Sequence, residues 1–171
     1  MRMATMSDSI TTRSAAETKK IASRLAKKIA AASSDHARVI ALNGNLGAGK
    51  TTFVQGFAKS LGINDTLKSP TFVLMKIYPV KRRKNLKHLV HIDAYRIETP
   101  REIKHLGLRE LLNDKDAVIL IEWADRIQRI LPKDTIWLEF VHGNNESERT
   151  IKIQGFHKNI KAIHANLNRR I

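Results

Sequence analysis

Ala37-Arg-Val-Ile-Ala-Leu-Asn-Gly44-Asn-Leu-Gly-Ala-Gly-Lys50-Thr51 is the stretch whose reading decides the fold. Residues 37–42 form a short apolar run with the length and β-branched content of a buried strand. Gly44 to Thr51 then matches G-x-x-x-x-G-K-[ST] at every fixed position. The residues after it, KTTFVQGFAKSLG, read as a helix with Gly62 as its C-terminal cap. Each residue type has a physical reason. Glycines 44, 47 and 49 let the backbone turn tightly, so that successive N–H groups face an anion. The following helix sets its positive dipole end on a phosphate. Lys50 reaches β- and γ-oxygens, and the Thr51 hydroxyl coordinates Mg²⁺. The sequence therefore predicts a nucleoside triphosphate site.

Outward from this unit, strands alternate with helices. Residues 15–32 carry Ala15, Ile21, Leu25 and Ile29 at helical spacing, with lysines between them. Ser69-Pro70 breaks the chain before a strand-like run from Phe72 to Val80, and KRRKNLK (81–87) reads as an exposed hairpin tip. Strand character resumes at His88–Asp93. Thr99, Pro100 and Glu102 mark a helix start. Ala117–Glu122 is a near-continuous apolar run, as in a strand covered on both faces. Beyond Leu131-Pro132, the segments Thr135–Val141 and Arg149–Ile153 alternate, and 156–171 reads as a basic helix or frayed tail. The pattern predicts one α/β domain over residues 1–171, with a central, mainly parallel sheet flanked by helices, and with 1–13 and 157–171 flexible or peripheral.

Composition narrows the function. Hydrophobic residues make up 42% and charged residues 27% of the 171, enough apolar material for a core. No run reaches the roughly 20 apolar residues that span a bilayer, and no apolar stretch follows Arg2, so neither membrane nor secretory targeting is expected. Cysteine is absent, which removes disulfides, thiolate metal sites and cysteine nucleophiles and fits a cytoplasmic protein. Lysine and arginine number 31 against 16 acids, a formal charge of +15 that favours polyanionic partners. The tip alone carries Lys81, Arg82, Arg83, Lys84 and Lys87, either as a solvated loop or as a contact to a polyanionic partner.

Phosphoryl transfer needs an acid at a strand end to help hold Mg²⁺ and a group to orient the attacking water. Two strands end in acids, at Asp93 and Glu122, and spacing alone leaves their roles open. A GTPase is disfavoured, because Asn113-Asp-Lys-Asp116 does not match N-K-x-D. A small-molecule kinase with Arg101 or Arg109 on a lid helix stays as the alternative, and a basic RNA-binding module with a vestigial nucleotide site is a third reading. His88 and His91 lack a third ligand at zinc spacing.

Taken together, Leu42-Asn-Gly-Asn-Leu-Gly-Ala-Gly-Lys-Thr-Thr52, Lys68-Ser-Pro-Thr-Phe72, His91-Ile-Asp-Ala-Tyr-Arg96 and Ile121-Glu-Trp123 resemble the TsaE family over roughly residues 15–155. Its members are small ATPases of bacterial tRNA threonylcarbamoyladenosine synthesis. Ala94 departs from the family's usual leucine. The resemblance implies ATP contacts from Gly44, Asn45, Leu46, Gly47, Ala48, Gly49, Lys50, Thr51, Thr52, Trp123 and Thr18, the last beside adenine. It implies Mg²⁺ at Thr51 and Glu122, with Asp93 and Lys50 as the catalytic pair, and a switch-type loop at Ser69, Pro70 and Thr71. It also implies partnership with the TsaD–TsaB transferase pair, and with tRNA directly or through that pair.

Overall fold

The computed structural model describes residues 8–64, 67–81 and 83–154. The run read as a buried strand is β2 (Arg38–Gly44), the central member of a seven-stranded sheet. The others are β1 (Asp8–Thr12), β3 (Met75–Pro79), β4 (His88–Asp93), β5 (Ala117–Glu122), β6 (Ile136–His142) and β7 (Arg149–Gln154), in the order β1-β7-β6-β2-β5-β4-β3. Strands β6, β2, β5 and β4 run parallel, whereas β3, β7 and β1 pair antiparallel at the two margins. The sheet is thus mainly parallel in its centre.

Helices cover both faces, which is why β2 and β5 are apolar throughout instead of alternating. On one face α1 (Ala15–Ala31) and α2 (Lys50–Ser60) pack over Ile40, Leu42, Leu89 and Leu120. On the other, α3 (Pro100–Lys104), α4 (Leu108–Asn113) and the 3₁₀ segment Ala124–Ile130 cover Val39, Ala41, Ile92 and Ile121. Local signals set the helix ends. The Ser14 hydroxyl accepts from the Glu17 N–H to start α1, and Thr99 and Glu102 form a reciprocal capping box at α3. Helix α2 stops at Ser60, two residues before Gly62, whose φ of 83° lets the chain turn away.

Residues 8–12, within the stretch expected to be flexible or peripheral, form edge strand β1, paired with β7 from Asp8↔Ile153 to Thr12↔Arg149. Two expectations need correction. The strand expected from Phe72 begins three residues later, because residues 71–74 turn back instead: the Val73 and Leu74 N–H groups both donate to the Pro70 carbonyl. The tip at 81–87 is not wholly solvated, since Leu86 is fully buried and the Lys87 ammonium pairs with Asp116 at 2.6 Å. The tail reading for 156–171 lies outside the described residues.

The α1–α2 seam is set by Gly56, where an added Cβ would meet the Lys19 Cα at 2.5 Å and its carbonyl oxygen at 2.7 Å. Gly→Ala inside a helix ordinarily stabilises by about 1 kcal/mol. Here the helices would have to separate, and overpacking costs about 1–3 kcal/mol. Gly56→Ala should therefore destabilise the protein, by about 1–2 kcal/mol in urea unfolding. A stabilised variant would show that the seam is looser than described.

Candidate functional site

The phosphate loop joins β2 to α2 at the carboxyl edge of the parallel strands. Gly44 closes the strand at φ 135°, in register with Phe140 of β6, and a Cβ there would lie 2.3 Å from the Phe140 carbonyl oxygen. Only glycine passes this point. Two side chains brace the loop from β6 and β7. His142 Nε2 donates to the Leu46 carbonyl at 3.3 Å, and Arg149 Nη2 donates to the Gly47 carbonyl at 3.1 Å.

Beside the loop lies a cleft of about 340 Å³, lined by Leu46–Thr52, Ser69, Thr71, Asp93, Tyr95, Glu122 and Trp123. The two strand-end acids sit opposite each other in the β4–β5 pairing, Asp93↔Glu122, and each is only 3% exposed. Both share the sheet face covered by α2, so Glu122 meets the first turn of that helix. Thr51 Oγ1 donates to Glu122 Oε2 at 2.9 Å and Oε1 at 3.1 Å. From two residues before Asp93, the fully buried His91 donates from Nε2 to Glu122 Oε1 at 2.8 Å. A carboxylate only accepts, so Nε2 carries the proton, while Nδ1 is buried with no hydrogen-bond partner among the described residues. Asp93 is held separately. Its Oδ2 accepts from the Ser69 hydroxyl and from Thr71 Oγ1 (2.7 Å), and its Oδ1 accepts from the Tyr95 N–H at 2.9 Å.

Lys50 completes the constellation. Its ammonium curls back onto the carbonyls of Gly44 (2.6 Å) and Asn45 (2.9 Å) and lies 4.2 Å from the centre of the Trp123 ring. Burial lowers its pKa below the ordinary lysine value, and the charges of Glu122, Asp93 and Asp125 oppose that shift. Trp123 in turn packs on Tyr95, ring centres 5.2 Å apart, and Arg126 lies over Tyr95. A hydroxyl and a carboxylate that converge beside a glycine loop, leaving the remaining positions to phosphate oxygens and water, form the donor set that suits Mg²⁺.

Most of the sequence-predicted residues meet here; some do not. Thr18 is buried, with its hydroxyl bonded to Thr12 Oγ1 (2.9 Å) and the Ser14 carbonyl (3.3 Å), and it does not line the cleft. There the hydroxyl ties helix to edge strand. Pro70 is buried behind the loop, where its carbonyl closes the turn, and Gly44 and Asn45 contribute carbonyls to Lys50 rather than cleft surface. Arg101 and Arg109 are exposed on α3 and α4, off the cleft lining. The sequence reading assigns no site role to His91, Tyr95, His142 or Arg149. For His91 a signal existed, since in a strand His91 and Asp93 must share a face. A larger groove of about 950 Å³, between the Leu131–Lys133 turn and β6, holds neither strand-end acid nor Lys50.

A strand, glycine loop and helix at the edge of a parallel sheet, with the loop lysine and threonine beside two strand-end acids, define a P-loop protein of the α/β class. Comparison with known proteins gives the particular family. The model of "Threonylcarbamoyl adenosine biosynthesis protein TsaE" matches residues 12–151, and the chain belongs to this family. It is 39% identical over 140 residues to the tRNA threonylcarbamoyladenosine biosynthesis protein TsaE of Bacillus subtilis, covering 81% of each chain. It is 38% identical over 102 residues to the Haemophilus influenzae protein of the same name, covering 60% of this chain and 61% of that one. The crystal structure of Bacillus subtilis YdiB superposes with a TM-score of 0.75 at 31% identity, covering 99% and 98% of the two chains. Family members serve tRNA threonylcarbamoyladenosine biosynthesis, and no helix among the described residues is long and apolar enough to cross a membrane.

The buried His91–Glu122 contact yields a test of the site's construction. Glu122→Gln keeps an acceptor for both donors and should cost about 1 kcal/mol or less. His91→Ala leaves a buried carboxylate short of a partner and a cavity beside it, at a cost of about 3 kcal/mol or more. Denaturant unfolding of both variants compares them, and equal losses would mean that His91 is packing alone.

Proposed function

We propose that this chain binds ATP with Mg²⁺ and hydrolyses it, and that the cycle supports formation of N6-threonylcarbamoyladenosine at position 37 of ANN-decoding tRNAs. The carrying observation is the convergence of Thr51 on Glu122, with Lys50 and Asp93 in the same cleft. In this reading the loop amides and Lys50 hold the β- and γ-phosphates, the lysine leaving the loop carbonyls for phosphate oxygens. Thr51 and Glu122 hold Mg²⁺, which offsets the charge of the triphosphate. Asp93 orients a water whose oxygen attacks the γ-phosphorus as the bond to the β,γ-bridging oxygen breaks. ADP and phosphate leave, and the water's proton passes to solvent. Ser69 and Thr71, both bonded to Asp93, give the loop at 69–74 a direct link to the γ-phosphate position. The partner is the TsaD–TsaB transferase pair, which carries out the modification itself.

Two variants test the assignment. Lys50→Ala should weaken Mg-ATP binding by roughly tenfold or more, because it removes the cation fixed at the β/γ-phosphates. Asp93→Asn should keep ATP affinity within a few fold and lower turnover by about 10²–10⁴. Isothermal titration and single-turnover hydrolysis, each with and without the TsaD–TsaB pair, separate the two effects. Unchanged affinity and turnover in Lys50→Ala would overturn the nucleotide site, and turnover that requires a phosphoryl acceptor instead of the partner pair would establish the kinase reading.

A further inference from the structure

Among the described residues the cations are unevenly placed. Helices α1 and α2 expose Lys19, Lys20, Lys27 and Lys59, and their single acid, Glu17, is spent on the N–H of Arg13 at 2.7 Å. The hairpin tip adds exposed Lys81, Arg83 and Lys84 and is brought onto the same face. Arg83 donates to the Ser60 carbonyl at 3.3 Å, at the end of α2, and Ser60 Oγ donates to the Ser23 carbonyl of α1 at 3.2 Å. Two helices and the tip therefore meet at one junction. The opposite face, with α3, α4 and the 3₁₀ segment, intersperses acids such as Glu98, Glu102, Glu110 and Asp125 among its arginines.

Where acids are near, this chain's cations use them, as in Lys87–Asp116 and Lys152–Glu139. Lys19, Lys20, Lys27, Lys59, Lys81 and Lys84 form no ion pair among the described residues. We infer that the α1–α2 face, together with the 81–84 tip, binds the phosphate backbone of folded RNA. Lys20 and Lys27 stand seven residues apart on one stripe of α1, about 10 Å along the axis, so the stripe can meet more than one phosphate. The Gly56 seam fixes the two helices against each other, which holds the cations in a preset array and lowers the entropy lost on binding.

An acidic protein would also be attracted, but a protein interface needs an apolar centre. Among the described residues the exposed large apolar side chains lie elsewhere: Leu46 and Tyr95 line the cleft, Phe72 and Val73 lie on the loop after Ser69 and Thr71, and Ile77 and Val141 lie on β3 and β6. Ile77 alternates with Tyr78, and Val141 with Phe140, whose side chains enter the α1–α2 core, so both face away from this surface. A charged, apolar-free face suits phosphates, whose contacts are electrostatic and wet.

Binding of a fluorescently labelled tRNA transcript to the full chain, measured by anisotropy across a salt series, tests this. Each lost phosphate contact should lower the log–log salt slope by about 0.9. The Lys20→Gln/Lys27→Gln/Lys59→Gln variant should lower it by about 2–3 and weaken binding roughly tenfold or more at about 0.1 M salt. Lys81→Gln/Lys84→Gln should lower it by about 1–2, and Arg101→Gln/Arg109→Gln/Arg129→Gln, on the opposite face, should leave it unchanged. Mg-ATP affinity, measured in parallel, should match wild type in all three, so this inference and the nucleotide reading fail separately. No RNA binding at low salt, or equal slope losses from both faces, would overturn the inference. So would polyglutamate competing as well as unlabelled tRNA, which would assign the face to an acidic polypeptide.

Discussion

Two carboxylates buried side by side set the terms for the rest of this site. Asp93 and Glu122 end neighbouring parallel strands in the same register, so the backbone ladder forces them together whatever their charges prefer. Withdrawing one ionised carboxylate from water costs several kcal/mol even after relaxation, and a second beside it adds repulsion. The surroundings answer group by group. Glu122 receives Thr51 and His91; Asp93 receives Ser69, Thr71 and the Tyr95 N–H; and Lys50 supplies the nearby positive charge. Each acid has its own donors, so each can hold a different position in the cleft. Their hydrogen-bond partners, and not their residue types, set the two acids apart.

Backbone strain falls at the same place. Among the described residues, the non-glycine positions at positive φ are Leu74 (62°) and Trp123 (56°), and both adjoin the acids. Trp123 directly follows Glu122; its left-handed turn ends β5 and brings the indole over Lys50. The Leu74 carbonyl accepts the Asp93 N–H at 3.0 Å, so the turn that delays β3 is also what delivers Ser69 and Thr71 to the Asp93 carboxylate. Left-handed geometry at such residues costs of order 1 kcal/mol or more, and persists only where surrounding contacts overdetermine it.

Periodicity was legible in the sequence wherever burial was two-sided or the caps were strong. β2, β4, β5, α1 and the α3 capping box carry their own signals, and the phosphate loop is written in full. What escaped depends on partners distant in the chain. Asp8–Thr12 is mostly polar and becomes a strand only because β7 offers an unpaired edge. Phe72 and Val73 have strand propensity, yet the Pro70 carbonyl, accepting from the Val73 and Leu74 N–H groups, closes a turn that leaves both exposed. Strand alternation puts His91 on the face of Asp93, but its partner Glu122 appears only once register sets His91 beside Leu120, two residues short of that acid. Thr18 carries nothing in its helical spacing to reveal a buried hydroxyl tied to an edge strand.

The antiparallel margin matters to the chemistry at the centre. A phosphate loop exposes its carbonyls outward when its N–H groups turn in toward an anion, and those outward carbonyls need donors. In this chain His142 and Arg149, the paired ends of β6 and β7, supply them to Leu46 and Gly47. Arg149 is in turn fixed by the Glu146 and Glu148 carbonyls at 2.6 and 2.8 Å, within a turn closed by Asn145. The β6–β7 hairpin therefore grips the loop from behind while the acids and Lys50 face it from the front. A parallel strand in place of β7 would carry its connection to the other end of the sheet and leave these carbonyls to water. The mixed topology thus gives the loop a second, independent set of anchors, from the β6–β7 side.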